Sequence, residues 1–192
     1  MGRSRWITVA LVTLGVVLIP KLSLMALGGA DNPYKTASVG QWVEYATTTE
    51  TMGTKMQMTS KQTVVAKDAT SVTLRTEMTA MGQKMPPQDV KIPFDKPYEP
   101  YKAGANGSDA KATLIGEGNE TIAVGGKPYA CHWTKMKVVS TKPAASTGTV
   151  KTWTCSDVPA GGMVKMEMDT EMTMGGKPMA TKMVMELKGF GK

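Results

Sequence analysis

This chain has a single histidine, two cysteines and two phenylalanines among 192 residues, and Arg75 is the only arginine beyond position 5. Each scarcity excludes something. Zinc draws about four ligands from cysteine, histidine and acid side chains, and His132, Cys131 and Cys155 fall short of that set. A Ser–His–acid machine would have to run through His132, yet no nucleophile-elbow motif accompanies it. In a strand His132 also points away from its neighbours Cys131 and Trp133, so it reads as a surface histidine. The acids are scattered along polar strand faces, leaving no paired carboxylates for hydrolysis. No block of Lys and Arg interleaved with stacking aromatics is present, which argues against a nucleic-acid groove. The expectation is a non-enzyme without a cofactor and without a nucleic-acid partner.

Long apolar runs are also lacking, except at the start. Arg3 and Arg5 precede an apolar run from Trp6 to Ile19, and the small residues Gly28 and Ala30 follow. That order is the one a secretory signal uses. Residues 1–30 are therefore expected to be a signal peptide and 31–192 a single exported domain of the periplasm or cell envelope. Pro20 and Lys21 interrupt the run short of the ~20 residues a membrane span needs. Membrane attachment is expected only if the segment stays uncleaved as an anchor. No cysteine follows the run to carry a lipid, and Trp6 stands where myristoylation requires Ser or Thr. Without Arg3, Arg5 and Lys21 the 23 basic residues become 20 against 16 acidic ones, so the mature charge is about +4.

Methionine is what the chain has in excess, with 17 residues. From Val164 onward Met166, Met168, Thr170, Met172 and Met174 alternate with Lys165, Glu167, Asp169, Glu171 and Thr173. Period two predicts a strand with one buried side. After Gly175-Gly176-Lys177-Pro178 the alternation resumes through Met179, Thr181, Met183, Met185 and Leu187. A hairpin closed with Met174 opposite Met179 would place Met168 opposite Met185 and Met166 opposite Leu187, joining the two apolar faces. The tip echoes two earlier stretches, TETMGTKM (49–56) and TEMTAMGQKM (76–85), so three hairpin tips share a Met-Gly-x-Lys-like chemistry. A fourth tip, VGGKPY (124–129), keeps the turn without the methionines.

Alternation and turn residues together predict strands near 40–52, 56–67, 71–81, 88–94, 112–124, 129–139, 149–156, 162–174 and 179–188. This is an all-β, mainly antiparallel meander, with one long Pro- and Gly-rich loop at 95–110. Export makes a disulfide the default for the only two cysteines. Strands around a turn near Pro143 pair residues whose numbers total 286, which sets Trp133 opposite Trp153 and Cys131 opposite Cys155. A cross-strand Cys131–Cys155 bridge is therefore expected, with free thiols or a soft-metal site as alternatives.

The stretches GEGNETIAVGGKPYACHW and VKTWTCSDVPAGGMVKMEM, through Glu120, Ile122, Val124, Cys131, Trp153, Asp157, Val158, Pro159, Gly161, Gly162, Val164 and Lys165, resemble a group of exported, mostly uncharacterised bacterial proteins. Such proteins are similar in pattern to the LolA/LolB-type half-barrel superfamily of lipoprotein carriers. The resemblance implies a strongly curved sheet, a half-barrel or open barrel, that holds lipid on its concave side. Three readings of the methionines follow. They are simply core, since methionine is apolar and adaptable. Alternatively Met166, Met168, Met172, Met174, Met183, Met185 and Leu187 form a hydrophobic ligand-binding face for a lipid or a lipoprotein acyl chain. The third reading is a Cu(I) site using Met56, Met58, Met166 and Met168, because thioethers suit that ion.

Overall fold

The computed structural model describes residues 32–95, 109–141, 145–174 and 177–192. The expected signal, residues 1–30, and most of the expected long loop lie outside them. A short 3-10 helix, Pro33–Thr36, is followed by strands β1 (Trp42–Thr51), β2 (Thr54–Lys67), β3 (Ser71–Ala80), β4 (Gln83–Lys84) and β5 (Gln88–Pro93). After the break come β6 (Lys111–Val124), β7 (Lys127–Ser140), β8 (Ser146–Thr154), β9 (Met163–Met174) and β10 (Lys177–Gly191). All ten belong to one antiparallel sheet in the order β4-β3-β2-β1-β10-β9-β8-β7-β6, with β5 also on β3. The alternation of apolar or Thr positions with charged ones accounts for the strands. Tight two-residue turns account for their hairpins.

The expected half-barrel is corrected by this topology. The sheet is neither closed nor strongly curled as a whole: its edges, β4 and β5 on one side and β6 on the other, are not paired to each other. Locally it bends more: β6 and β10, four places apart in the order and about 19 Å apart in a flat sheet, approach within 8 Å at a few positions. Nothing in the connectivity forces closure, because the two edges are linked by residues 94–110 rather than by a tight turn. The edge strand β6 is itself irregular, with a register shift between Leu114 and Gly116 of the kind that discourages further pairing.

The core gathers at one end of the sheet. Val43 and Tyr45 of β1, Val64 of β2, Val72 and Leu74 of β3, Val164 of β9 and Leu187 of β10 are buried there. Tyr34 and Ala37 of the N-terminal segment and Val158 and Ala160 of the β8–β9 connection pack onto them. Asn32 ties the segment down, accepting from the Tyr34 amide at 3.0 Å and donating to the Pro93 carbonyl at 3.1 Å. Two tryptophans lie flat over glycines, Trp133 against Gly116 and Gly118 and Trp42 against Gly189 and Gly191. The indoles cover strand backbone that a glycine would leave to water.

Candidate methionine face

The β9–β10 hairpin carries the expected face in a shifted register. Met166 pairs with Met185, Met168 with Met183, Thr170 with Thr181 and Met172 with Met179. The expected partners are two residues away, because Lys177 and Pro178, read in the sequence as turn, already belong to β10. A slip of two keeps side-chain parity, so the composition of the face survives the error.

Neighbouring strands extend it further than the sequence indicated. Met185 lies beside Thr47 and Met183 beside Thr49 on β1. Thr47 and Thr49 in turn lie beside Met58 and Met56 on β2. On the other side Met166 adjoins Thr152 and Met168 adjoins Val150, and Val150 adjoins Met136. One row thus runs Met136, Val150, Met168, Met183, Thr49, Met56, and the next Thr134, Thr152, Met166, Met185, Thr47, Met58. Met166 is buried, as are Val150, Thr134, Thr152, Thr47 and, toward the core, Leu187. Met168, Met172, Met183 and Met185 are half-buried and Met56 is exposed. Met174 is the last residue of β9. Met136 is the member that sequence reasoning missed, although it sits in phase with Thr134 and Val138 on β7.

Of the four sulfurs suggested for Cu(I), Met56 and Met58 are separated from Met166 and Met168 by β10 and β1. Three strand spacings are roughly 14 Å. The thioethers that do adjoin are Met166, Met168, Met183 and Met185. Among the described residues no group of three or more His, Cys, Asp or Glu could hold a metal ion. The hydroxyl of Thr47, buried in the middle of the second row, has no hydrogen-bond partner.

The opposite face is polar and cross-linked. Lys151 lies over Trp133 at 4.4 Å and over Trp153 at 4.2 Å, and donates to Glu120 at 2.9 Å. The Trp153 indole N–H also donates to Glu120. These two donors hold the Glu120 carboxyl below its usual range. Lys165 bridges Glu167 at 2.9 Å and Glu186 at 3.4 Å. A hollow of about 300 Å³ opens near Lys137, Thr149, Asp169 and Lys182, where charges of both signs meet. It is remote in character from the methionine rows.

Cys131 and Cys155 are buried free thiols, and the expected bridge between them is not shown. The hairpin arithmetic itself holds, with Trp133 opposite Trp153 and His132 opposite Thr154. The ladder stops there: β8 ends at Thr154, and the Cys155 amide turns to the Gly162 carbonyl at 2.7 Å instead of continuing along β7. Burial pushes the Cys131 thiol up to about 11, with Cys155 and Glu120 nearby adding to the effect. His132 is more enclosed than a surface residue. Its Nδ1 is 3.1 Å from the Asn119 amide oxygen and its Nε2 is 3.9 Å from Glu117.

No protein-family model matches the sequence, and no curated protein matches it. Three solved structures align with the chain, each with a TM-score below 0.5. A Bacteroides fragilis protein with a YmcC-like fold gives a TM-score of 0.46 at 11% identity, over 81% of this chain and 97% of that one. The hypothetical lipoprotein YmcC of Escherichia coli gives 0.31 at 10% identity, over 76% and 87% of the two chains. A DUF1329 family protein from Desulfovibrio piger gives 0.24 at 9% identity, over 82% and 86%. A relation to the LolA/LolB carriers is not shown by these alignments.

Proposed function

We propose that this chain is an exported, non-catalytic binding protein that lays the acyl chain of a lipid or lipoprotein along its methionine face. The observation that carries this reading is the pair of cross-strand rows from β7 to β2, which gather seven methionines on one side of the sheet and leave Met168, Met183 and Met185 only half-buried. A single sheet with a continuous apolar face is incomplete in water, since such faces are normally buried against another element. Methionine suits a partner of variable shape, because its unbranched thioether adapts where Leu or Val would impose one contour. Burial of an acyl chain contributes about 0.8 kcal/mol per methylene before the costs of association. Export rests on the Arg3/Arg5, apolar and small-residue order of the first thirty positions.

A second reading, a Cu(I) site, is favoured by one observation: the directly opposed pairs Met166/Met185 and Met168/Met183 place four thioethers on two adjacent rungs. Native mass spectrometry of the protein recovered from its own envelope distinguishes the two by added mass. Competition between a fluorescent fatty acid and Cu(I) on wild type and on a folded Met166→Ser/Met168→Ser/Met183→Ser variant then assigns the site. Loss of the fatty acid alone supports the carrier, and loss of copper alone supports the metal site. Binding of neither by wild type sinks both and leaves the methionines as core.

A further inference from the structure

Both ends of the sheet are made of hairpin turns, but the turns are chemically unlike. At the packed end, the β2–β3 turn is closed by Asp68, whose carboxylate accepts from the Thr70 and Ser71 amides. The β6–β7 turn there is Gly125-Gly126, beside the buried Val124. At the far end the β1–β2 and β3–β4 turns are Met52-Gly53 and Met81-Gly82, and all four residues have positive φ. That backbone favours Asn-Gly, and a methionine is strained in it. Both methionines nevertheless stand out in solvent, 82% and 81% exposed, with Lys55 and Lys84 exposed just behind them. The paired strands β9 and β10 reach the same end at Met174 and Lys177. The pairing of β1 with β10 makes the three hairpins neighbours in the order β4-β3, β2-β1, β10-β9. The registers stagger the tips by four residues along the strands, since Ala80 pairs with Met58 and not with Thr54, so the Met52 and Met81 tips lie about 16 Å apart along an oblique edge.

We propose that this row of methionine tips is a membrane-docking edge that inserts its thioethers among the acyl chains of an anionic lipid surface while the lysines behind them meet the headgroups. A turn that accepts strain to expose an apolar side chain, repeated along one edge, fits a flat apolar layer better than it fits water. Lys next to each apolar tip matches the negative charge of a lipid surface. The row is continuous with the methionine face through Met56, and it stands whether or not that face carries a lipid.

The test uses protein recovered from its own envelope and its Met52→Asn/Met81→Asn variant, sedimented with vesicles of phosphatidylethanolamine and phosphatidylglycerol (3:1) or of phosphatidylcholine alone. Asparagine suits the positive-φ positions, so the variant should melt no lower than wild type. Wild type is expected to bind the anionic vesicles, and the variant at least tenfold more weakly. A Lys55→Gln/Lys84→Gln variant should lose the preference for anionic over zwitterionic vesicles. Equal binding by wild type and the asparagine variant, or no binding by wild type, overturns the proposal. So does tip-dependent capture of a protein partner without any vesicle binding. Because this assay reads vesicles and the fatty-acid competition reads the sheet face, failure of one leaves the other standing.

Discussion

Gly148 on β8 occupies a position where a side chain has no room. A Cβ there would meet the Asp169 carbonyl oxygen well inside van der Waals contact and lie 3.0 Å from the Thr170 Cα. Both obstacles are backbone of the neighbouring strand, so no rotamer change relieves them. Gly148→Ala must instead push β8 from β9, along a ladder that seats Val150 beside Met168. Overpacking of this kind costs about 1–3 kcal/mol. Replacing a strand glycine by alanine returns about 0.5–1 kcal/mol of backbone entropy. Because both obstacles are backbone, the upper part of the overpacking cost, about 2–3 kcal/mol, applies, and the net expectation is destabilisation by about 1–2.5 kcal/mol, or a fall in Tm of about 2–10 °C for a domain of this size. Gly189→Ala is the control: its Cβ would find only the Trp42 ring at 3.6 Å, an ordinary contact. That variant should be neutral or slightly stabilised. Urea and thermal unfolding of both measure the difference. A Gly148→Ala protein within about 0.5 kcal/mol of wild type, the usual range for an indifferent substitution, would refute the close approach of β8 and β9 as the reason for this glycine.

Two further outcomes follow from charge and burial. The Asp68 carboxylate is held well below its usual range by hydrogen bonds from the Thr70 hydroxyl and amide and from Ser71. A lowered folded-state pKa stabilises above the unfolded value near 4 and is lost as pH falls below it. Asp68→Asn should therefore lower Tm at pH 7, and the gap to wild type should narrow as the pH is taken below about 4. With the Cys131 thiol up at about 11, only about one molecule in a thousand carries the thiolate at pH 8. Iodoacetamide should thus label the folded chain slowly, and unfolding in urea without reductant should yield two adducts by mass. No adducts after unfolding would mean that export oxidises the pair after all.

The local hairpins were legible because each is written in a short stretch: alternation sets the faces, and Met-Gly, Gly-Gly or Asp-x-x sets the turn. Glu167 and Met168 fall on opposite faces whichever register is chosen, so the methionine face could be read even though its pairing was misplaced by two. Turn length was the weak link, because Lys177-Pro178 reads equally well as turn or as strand. For the cysteines, parity and the total of 286 were right for Trp133 and Trp153. What no local pattern records is that the strand stops one residue short of Cys155 and turns toward Gly162.

Residues close in sequence thus determined which side chains share a face, since period two and tight turns are properties of neighbouring residues. The pairing of β1 with β10, residues more than a hundred positions apart, is a tertiary decision. It is made by side chains such as Tyr45 and Leu187 meeting in one core, and a sequence pattern says nothing about which of several compatible edges will meet. That single pairing joins the β1–β5 and β6–β10 meanders. It carries the methionine rows across to Met56 and Met58, and it puts the Met52 and Met81 tips at the same end of the sheet as the end of β9.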